Sequence, residues 1–418
     1  MRTAFYNNEI LCAERKSSVV DKICAFFLVV SPILQHYQGL LRNAGFTILI
    51  FLCPFLAIKV MSIFKENIRI SVAIIPLVVY EIYTAFHIDA FSVMSLVYAT
   101  YIIILFLCVA TEGCIDRELC IKYSLVVAKI ASILVIVQTV SYYLLHYYIR
   151  CIPVDWLLPD SDMWLDRVVN GVTSAGALFR PSSIFLEPSH LVLYTFPHVC
   201  ICLLSSNKDI KSALIISLGI GLSTSGMGIG CLLLLWGVYF IFYSDKKQDL
   251  HLLQKIFSGK AIMAVLFLLI AFCCLYLFVP AFKIAIDRIF IGSIGHSSAI
   301  DGRTRLANIL IKELRGKELL FGVAEIDDSV ITFNMAGFHA TLYKWGIIGV
   351  VLSYWFYARG LFKLKNAYFW ITIVVLILSF FTVHTHGTFY MIYFIIFLLD
   401  GYFEKKSARD GKSSMDNK

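Results

Sequence analysis

The chain has 418 residues, of which 59% are hydrophobic and only 15% charged, with a mean hydropathy of +0.81. Soluble domains carry about 25% charged residues, so the composition argues against a soluble enzyme and predicts an integral membrane protein that spans repeatedly. The net charge of +8 is no nucleic-acid footprint, because the basic residues are spread over many short connections.

A span needs about 20 apolar residues at a rise of about 1.5 Å each. In chain order, the runs that meet this are 19–36, 44–64, 68–87, 91–110, 121–148, 188–205, 209–224, 226–243, 261–280, 338–358, 367–385 and 387–403. The first follows Glu14-Arg15-Lys16, contains Ser31-Pro32 and has no small-residue cleavage site after it. It is expected to be a retained span and not a signal peptide. The stretch 209–243 reads either as one long helix or as two, separated by Ser223-Thr224-Ser225-Gly226.

The distribution of basic residues decides for two. Alternate connections then collect Lys65/Arg69, Arg117/Lys122, Lys208/Lys211, Lys246/Lys247/Lys255/Lys260 and Arg359/Lys363/Lys365 on one side. The expected fold class is an all-α polytopic membrane protein with about 12 transmembrane helices, both termini cytoplasmic and two long loops on the outer face. The chain divides into N-terminal helices (1–149), a first outer loop (150–187), further helices (188–280), a second outer loop (281–337), last helices (338–404) and a disordered cytoplasmic tail (405–418).

The first outer loop sets three Arg against five carboxylates, and the second has a net charge of zero. Mixed charge interleaved with large apolar residues predicts folded loops. Within the second, Arg305 to Arg315 reads as a short amphipathic helix with Leu306, Ile309, Leu310 and Leu314 on one face. Few charges lie within the spans. Lys59 and Lys129 are near enough to the cytoplasmic side to snorkel. Glu81 is either a functional intramembrane carboxylate or the partner of a neighbouring span.

The 12 Cys form no disulfide framework, since nearly all lie in or beside apolar runs, where Cys behaves as a small hydrophobe. No CxxC or Cys/His spacing suggests a metal, and no cofactor is expected. His384 and His386 lack a third ligand.

Three constellations carry possible chemistry. In Arg180-Pro181-Ser182-Ser183-Ile184-Phe185-Leu186-Glu187-Pro188-Ser189-His190, Pro188 fits the first position of a helix. Glu187 then flanks the helix start, and His190, three residues on, shares its face. The stretch is either a helix start with an interfacial Arg or an anion and acid–base site. In Asp301-Gly302-Arg303-Thr304-Arg305, two Arg at a helix start suit a phosphate or pyrophosphate, or pair with Asp301 or Glu313. In Phe338-His339 through Trp345-Gly346-Ile347-Ile348-Gly349, His339 stands where a loop enters a span, available for proton transfer or for structure, and the glycines suit close packing.

An Arg-x-x-Ser-x-Phe-x-Glu-Pro-Ser stretch opening a mid-chain span resembles the O-antigen and capsular polysaccharide polymerases of the Wzy type. So do the Ser/Gly-rich turn 223–230, the outer-loop Gly-Arg-x-Arg, and Leu319-Leu320-Phe321-Gly322 ahead of the Trp-Gly-Ile-Ile-Gly span. The resemblance covers about 175–350 by motif. In place of the His-Asn pair often found in such polymerases and in O-antigen ligases, His339 and Asn334 stand apart here.

The resemblance implies a metal-independent membrane glycosyltransferase with a C-type fold, in the bacterial inner membrane. It would polymerise repeat units on the periplasmic face, with undecaprenyl-pyrophosphate-linked glycans as donor and acceptor and a chain-length regulator as a possible partner protein. In that reading Arg180, Arg303 and Arg305 hold pyrophosphate, Glu187 or His339 is the base, and His190 supports. The alternatives are an O-antigen ligase acting on lipid A core, or a lipid-linked oligosaccharide flippase, which is not an enzyme and for which cations within the spans are expected.

Overall fold

Backbone that has no water to bond must close its hydrogen bonds locally, and a helix does this within one segment. Each of the apolar runs contains a helix. The computed structural model describes residues 17–39, 43–63, 70–87, 93–152, 157–159, 179–205, 208–243, 259–278, 282–284, 286–287, 305, 308–323, 337–362, 367–381 and 391–398. In order the helices are α1 (Val19–Val30), α2 (Ala44–Phe51), α3 (Cys53–Ile63), α4 (Ile75–His87), α5 (Val93–Ala110), α6 (Arg117–Leu145) and α7 (Pro188–Leu204). There follow α8 (Ile210–Leu222), α9 (Gly226–Val238), α10 (Gly259–Phe278), α11 (Lys317–Phe321), α12 (Gly337–Ala358), α13 (Ala367–Phe381) and α14 (Met391–Leu398). Among the described residues there is no strand, only two isolated bridges, Tyr37–Pro159 and Ile70–Thr111. The fold is all-α. Among the described residues two stretches, Ala44–Ile63 and Arg117–Leu145, are long and apolar enough to cross a membrane.

Helix boundaries follow local chemistry. The expected span 19–36 is helical only to Val30, because Pro32 has no N–H for the Leu28 carbonyl. The Ser31 hydroxyl donates to that carbonyl instead (3.2 Å), and the chain turns through 31–36. Likewise Pro54 cannot bond the Ile50 carbonyl, and the run 44–64 is broken at Leu52 into α2 and α3. The stretch 209–243 splits into two helices, with Thr224 at φ +54 and the Ser225 hydroxyl accepting from the Gly228 N–H (3.4 Å).

The centre of the core is α7. Of its 17 residues only Ser189 and Ile201 reach the surface, which is the pattern of a helix wrapped on all sides. It packs against α6, α8, α9 and α13. Small residues set the spacing: a Cβ on Gly228 of α9 would lie 2.6 Å from Val192 of α7, and one on Gly219 of α8 would lie 2.5 Å from Ser132 of α6. Within α7, Nδ1 of the buried His198 donates to the Tyr194 carbonyl (3.1 Å), so its Nε2 accepts from the Ser124 hydroxyl (2.7 Å).

A second packing unit joins α4, α12 and α13. Gly346, with φ +65, kinks α12 where the backbone of Leu320 and Gly322 approaches. A Cβ there would lie 2.3 Å from the Leu320 carbonyl oxygen, and one on Gly322 (φ +84) would lie 2.2 Å from that of Lys344. The Tyr83 hydroxyl of α4 lies 2.7 Å from the Phe321 carbonyl oxygen and 3.2 Å from that of Trp345. Gly346 therefore serves close packing, against the C-terminal end of the short helix α11. Residues 308–313 are helical, and Leu310 packs against Ala340 of α12, as does Tyr343.

Basic residues tie helix ends together. Arg117 donates to the carbonyls of Val109 (3.0 and 2.7 Å) and Leu398 (3.3 Å), and Arg359 donates to that of Phe397. The ends of α5, α12 and α14 and the start of α6 thus share one end of the bundle. Lys59, expected to snorkel, is instead buried and paired with Asp21, which also closes a capping box with Ser18 at the start of α1. Glu81 is buried at 6% exposure. The tail 405–418 lies outside the described residues, as does most of the two segments expected as outer loops, 150–187 and 281–337.

Removing one partner of a buried ion pair costs about 3–5 kcal/mol, whereas replacing both by apolar groups is often neutral. Asp21→Ala and Lys59→Ala are each expected to lower the thermal unfolding midpoint in detergent, and the double variant Asp21→Leu/Lys59→Met to recover most of the loss. Unchanged midpoints in both single variants would show that the pair contributes nothing.

Candidate functional site

The segment 179–187 enters α7 through a series of anchors. Phe179 stacks face to face on Tyr142 (3.9 Å between centroids, 3° between planes) and takes the ring edges of Tyr143 (6.1 Å) and Tyr148 (5.7 Å). Two tyrosines in the last turn of α6 and one just past its end thus clamp the residue before Arg180. Arg180 itself is half-buried.

Ser183 is in the left-handed region at φ +58, a conformation that costs a residue with a Cβ about 1–2 kcal/mol. Gln138, fully buried in α6, holds it there. Its Oε1 accepts from the Ser183 N–H (2.9 Å) and its Nε2 donates to the Ile149 carbonyl (2.9 Å). The Phe185 N–H closes the turn onto the Ser182 carbonyl (3.0 Å), and the buried Phe185 ring lies 5.2 Å from Tyr194. Leu186 packs with Tyr37 and Ile152. Phe185 is thus anchored in the main core and Leu186 in a smaller cluster beside it.

Glu187 is the N-cap of α7 in extended conformation (φ −141, ψ 145), and Pro188 occupies the first helical position as expected. The Glu187 side chain makes no capping bond. Of the two usual cap targets, the N–H groups of Ser189 and His190, the second bonds the Glu187 carbonyl (3.0 Å). The carboxylate points instead to His190, whose Nε2 is 3.9 Å from Oε2, within ion-pair range and longer than a hydrogen bond.

On the other side of His190 stands His36, its ring parallel at 10° and 4.3 Å. His36 comes from the turn that follows α1, which is fixed by the Gln38 N–H to the Leu158 carbonyl (2.9 Å) and the Gln38 amide to the Pro159 carbonyl (3.1 Å). Beside it, burial pushes the Tyr37 phenol well up, so Tyr37 stays neutral. The site is a carboxylate and two histidines at the lip of the central helix, seven residues beyond a half-buried Arg.

His36 is the residue that sequence reasoning misses. It lies in an apolar run next to no motif, and only the return of the chain after Ser31-Pro32 carries it to His190. The other expected residues are placed as follows. His339 is buried on α12 with Phe338 (5.8 Å) and Phe380 (4.9 Å) around its ring, and its Nδ1 has no hydrogen-bond partner among the described residues. Arg305 is exposed, and Arg303 lies outside the described residues. The structure thus brings Glu187 and His190 together with His36, one turn of chain from Arg180, and puts His339 on a different pair of helices. His384 and His386 lie outside the described residues, and among the described residues no cluster of three or more His, Cys, Asp or Glu is arranged to hold a metal ion.

Gln138→Leu strands a donor at Ser183 and an acceptor at Ile149, at about 1–3 kcal/mol for each buried group. Amide hydrogen exchange of residues 179–187 is expected to speed up while that of the α7 interior stays slow. Equal exchange in the wild type and the variant would mean that Gln138 does not hold the segment. Comparison of the chain with protein-family models, with curated proteins and with solved structures finds no match in any of the three.

Proposed function

We propose that the chain is a membrane glycosyltransferase that polymerises undecaprenyl-pyrophosphate-linked oligosaccharide units into O-antigen or capsular polysaccharide. In this reading it works on the periplasmic face of the inner membrane, with twelve spans and both termini in the cytoplasm. The observation that carries the reading is Glu187: a carboxylate at a helix start, excused from capping, turned toward a stacked histidine pair, with a clamped Arg close in the chain.

That arrangement suits transfer from a polyprenyl pyrophosphate. The bond between the anomeric carbon and the pyrophosphate oxygen breaks, and one to the acceptor hydroxyl oxygen forms. Glu187 accepts the hydroxyl proton, a task worth about 10²–10⁴-fold. Arg180 meets the charge that develops on the leaving pyrophosphate, together with Arg303 and Arg305 of the second outer loop. His190 orients the Glu187 carboxylate, and His36 holds the His190 ring by stacking on it. His339, ringed by phenylalanines, fits a base less well than Glu187. Strain at Ser183 fits a site whose geometry must be held rather than found.

The test uses a bacterial strain lacking the gene, complemented with variants whose membrane levels match the wild type. Glu187→Gln and Arg180→Ala are expected to abolish the ladder of polymerised glycan on a gel, leaving core that carries a single repeat. His36→Ala is expected to weaken the ladder without abolishing it. Core with no repeat at all would indicate a ligase, and full ladders in both Glu187→Gln and Arg180→Ala would overturn the site.

A further inference from the structure

A groove of about 560 Å³ runs between α1 and α6. Its size falls in the range of about 300–1,000 Å³ usual for small-molecule sites. Hydrocarbon lines it, with Phe26, Val29 and Val30 from α1 facing Val126 and Val127 from α6. The charged residues that line it are two lysines, Lys22 and Lys122. They occupy matching places, Lys22 in the first turn of α1 and Lys122 in the second of α6, so both charges stand at one end of the apolar channel.

Among the described residues no carboxylate lines the groove: Glu118, exposed one turn before Lys122 on α6, lies outside its lining. Asp21 precedes Lys22 but is turned into the core, held by Lys59 and Ser18. Among the described residues neither Lys22 nor Lys122 takes part in an ion pair. Both side chains are exposed, as are Phe26 and Val126, so the channel opens sideways from the bundle.

We propose that this groove binds one anionic diacyl phospholipid, with Lys22 and Lys122 holding the phosphate and an acyl chain lying along Phe26, Val30 and Val126. The argument is charge complementarity on an amphipathic scale. A zwitterionic lipid would fill the channel but leave two ammonium groups without net counter-charge. An anionic one satisfies both at the depth where lysines reach the headgroups. The groove also lies at the end of α6 where Arg117 gathers helix ends, the face on which the connections are basic and where anionic lipids concentrate if it is cytoplasmic. The inference rests on α1 and α6 lying in a membrane and is independent of the polymerase reading.

The experiment is native mass spectrometry of the full-length protein in detergent, titrated with phosphatidylglycerol or phosphatidylcholine. The wild type is expected to retain phosphatidylglycerol preferentially. Lys22→Ala and Lys122→Ala are each expected to cut the preference about 5-fold. Lys211→Ala, an exposed lysine at the start of α8, is expected to leave it unchanged. A photoactivatable phosphatidylglycerol on the wild-type protein is expected to label peptides spanning 19–30 and 122–127, a readout that needs no variant to fold. Equal retention of the two lipids, an undiminished preference in the double variant, or label confined to other peptides would each overturn the proposal. Failure of the membrane reading shows differently, as release of the protein from membranes by alkaline carbonate.

Discussion

A helix enclosed by other helices along its whole length cannot carry a charge along its sides, and α7 is such a helix. The polar side chains it does carry inside are settled at short range: Thr195 donates to the Leu191 carbonyl (2.7 Å), and His198 bonds the Tyr194 carbonyl and Ser124. Polar groups that face outward have to sit at its ends, where the first N–H groups lack partners and the helix dipole is positive. Pro188 removes one of those donors and the Glu187 carbonyl takes another. At this end of α7 the Glu187 carboxylate makes no capping bond and faces His190.

Holding that carboxylate in place requires a strained approach, and the magnitudes show how the strain is borne. The left-handed Ser183 costs about 1–2 kcal/mol. Against it stand two hydrogen bonds of Gln138, at about 0.5–1.5 kcal/mol each, and three aromatic contacts of Phe179, at about 0.5–1.5 kcal/mol each beyond burial. The anchors outweigh the strain even at the low end of these ranges. They also lie on both sides of Arg180, so the backbone that carries it is held before and after it.

How much of this was legible depended on the range of the interaction. The Glu187-Pro188 helix start and the all-helical class follow from local rules and agree with the structure, whereas the break at 223–226 follows from the distribution of basic residues along the whole chain and agrees as well. The early end of α1 was also local: Ser31-Pro32 was visible, but hydropathy continues to Leu34 and concealed the turn. Contacts between segments left no periodic trace. Lys59 looked like a snorkelling residue because its partner, Asp21, sits one span away and doubles as a cap residue. His36 looked like the end of a span because its partner is His190. Leu319-Leu320-Phe321-Gly322 and Trp345-Gly346 were read as separate motifs, yet they form one contact, in which each glycine makes room for the other's backbone.

The two ends of the bundle use cations differently, and the difference bears on the site. At one end, Arg117 and Arg359 are spent on carbonyls at helix C-termini, where a cation offsets the negative end of the dipole. Arg359 also lies 4.4 Å over the Phe356 ring. Those residues hold helices together, and a connection rich in Lys and Arg needs no ligand to account for it. At the other end, Arg180 emerges from an irregular segment with no helix C-terminus of its own to cap. It sits between a clamped ring and a strained serine, and seven residues later the chain presents a carboxylate facing a histidine pair. A structural arginine at such a point would be served by any stable turn. The left-handed Ser183, tied down from α6, fixes one path for the chain between Arg180 and Glu187, and a fixed path is what the proposed site requires and a helix cap does not.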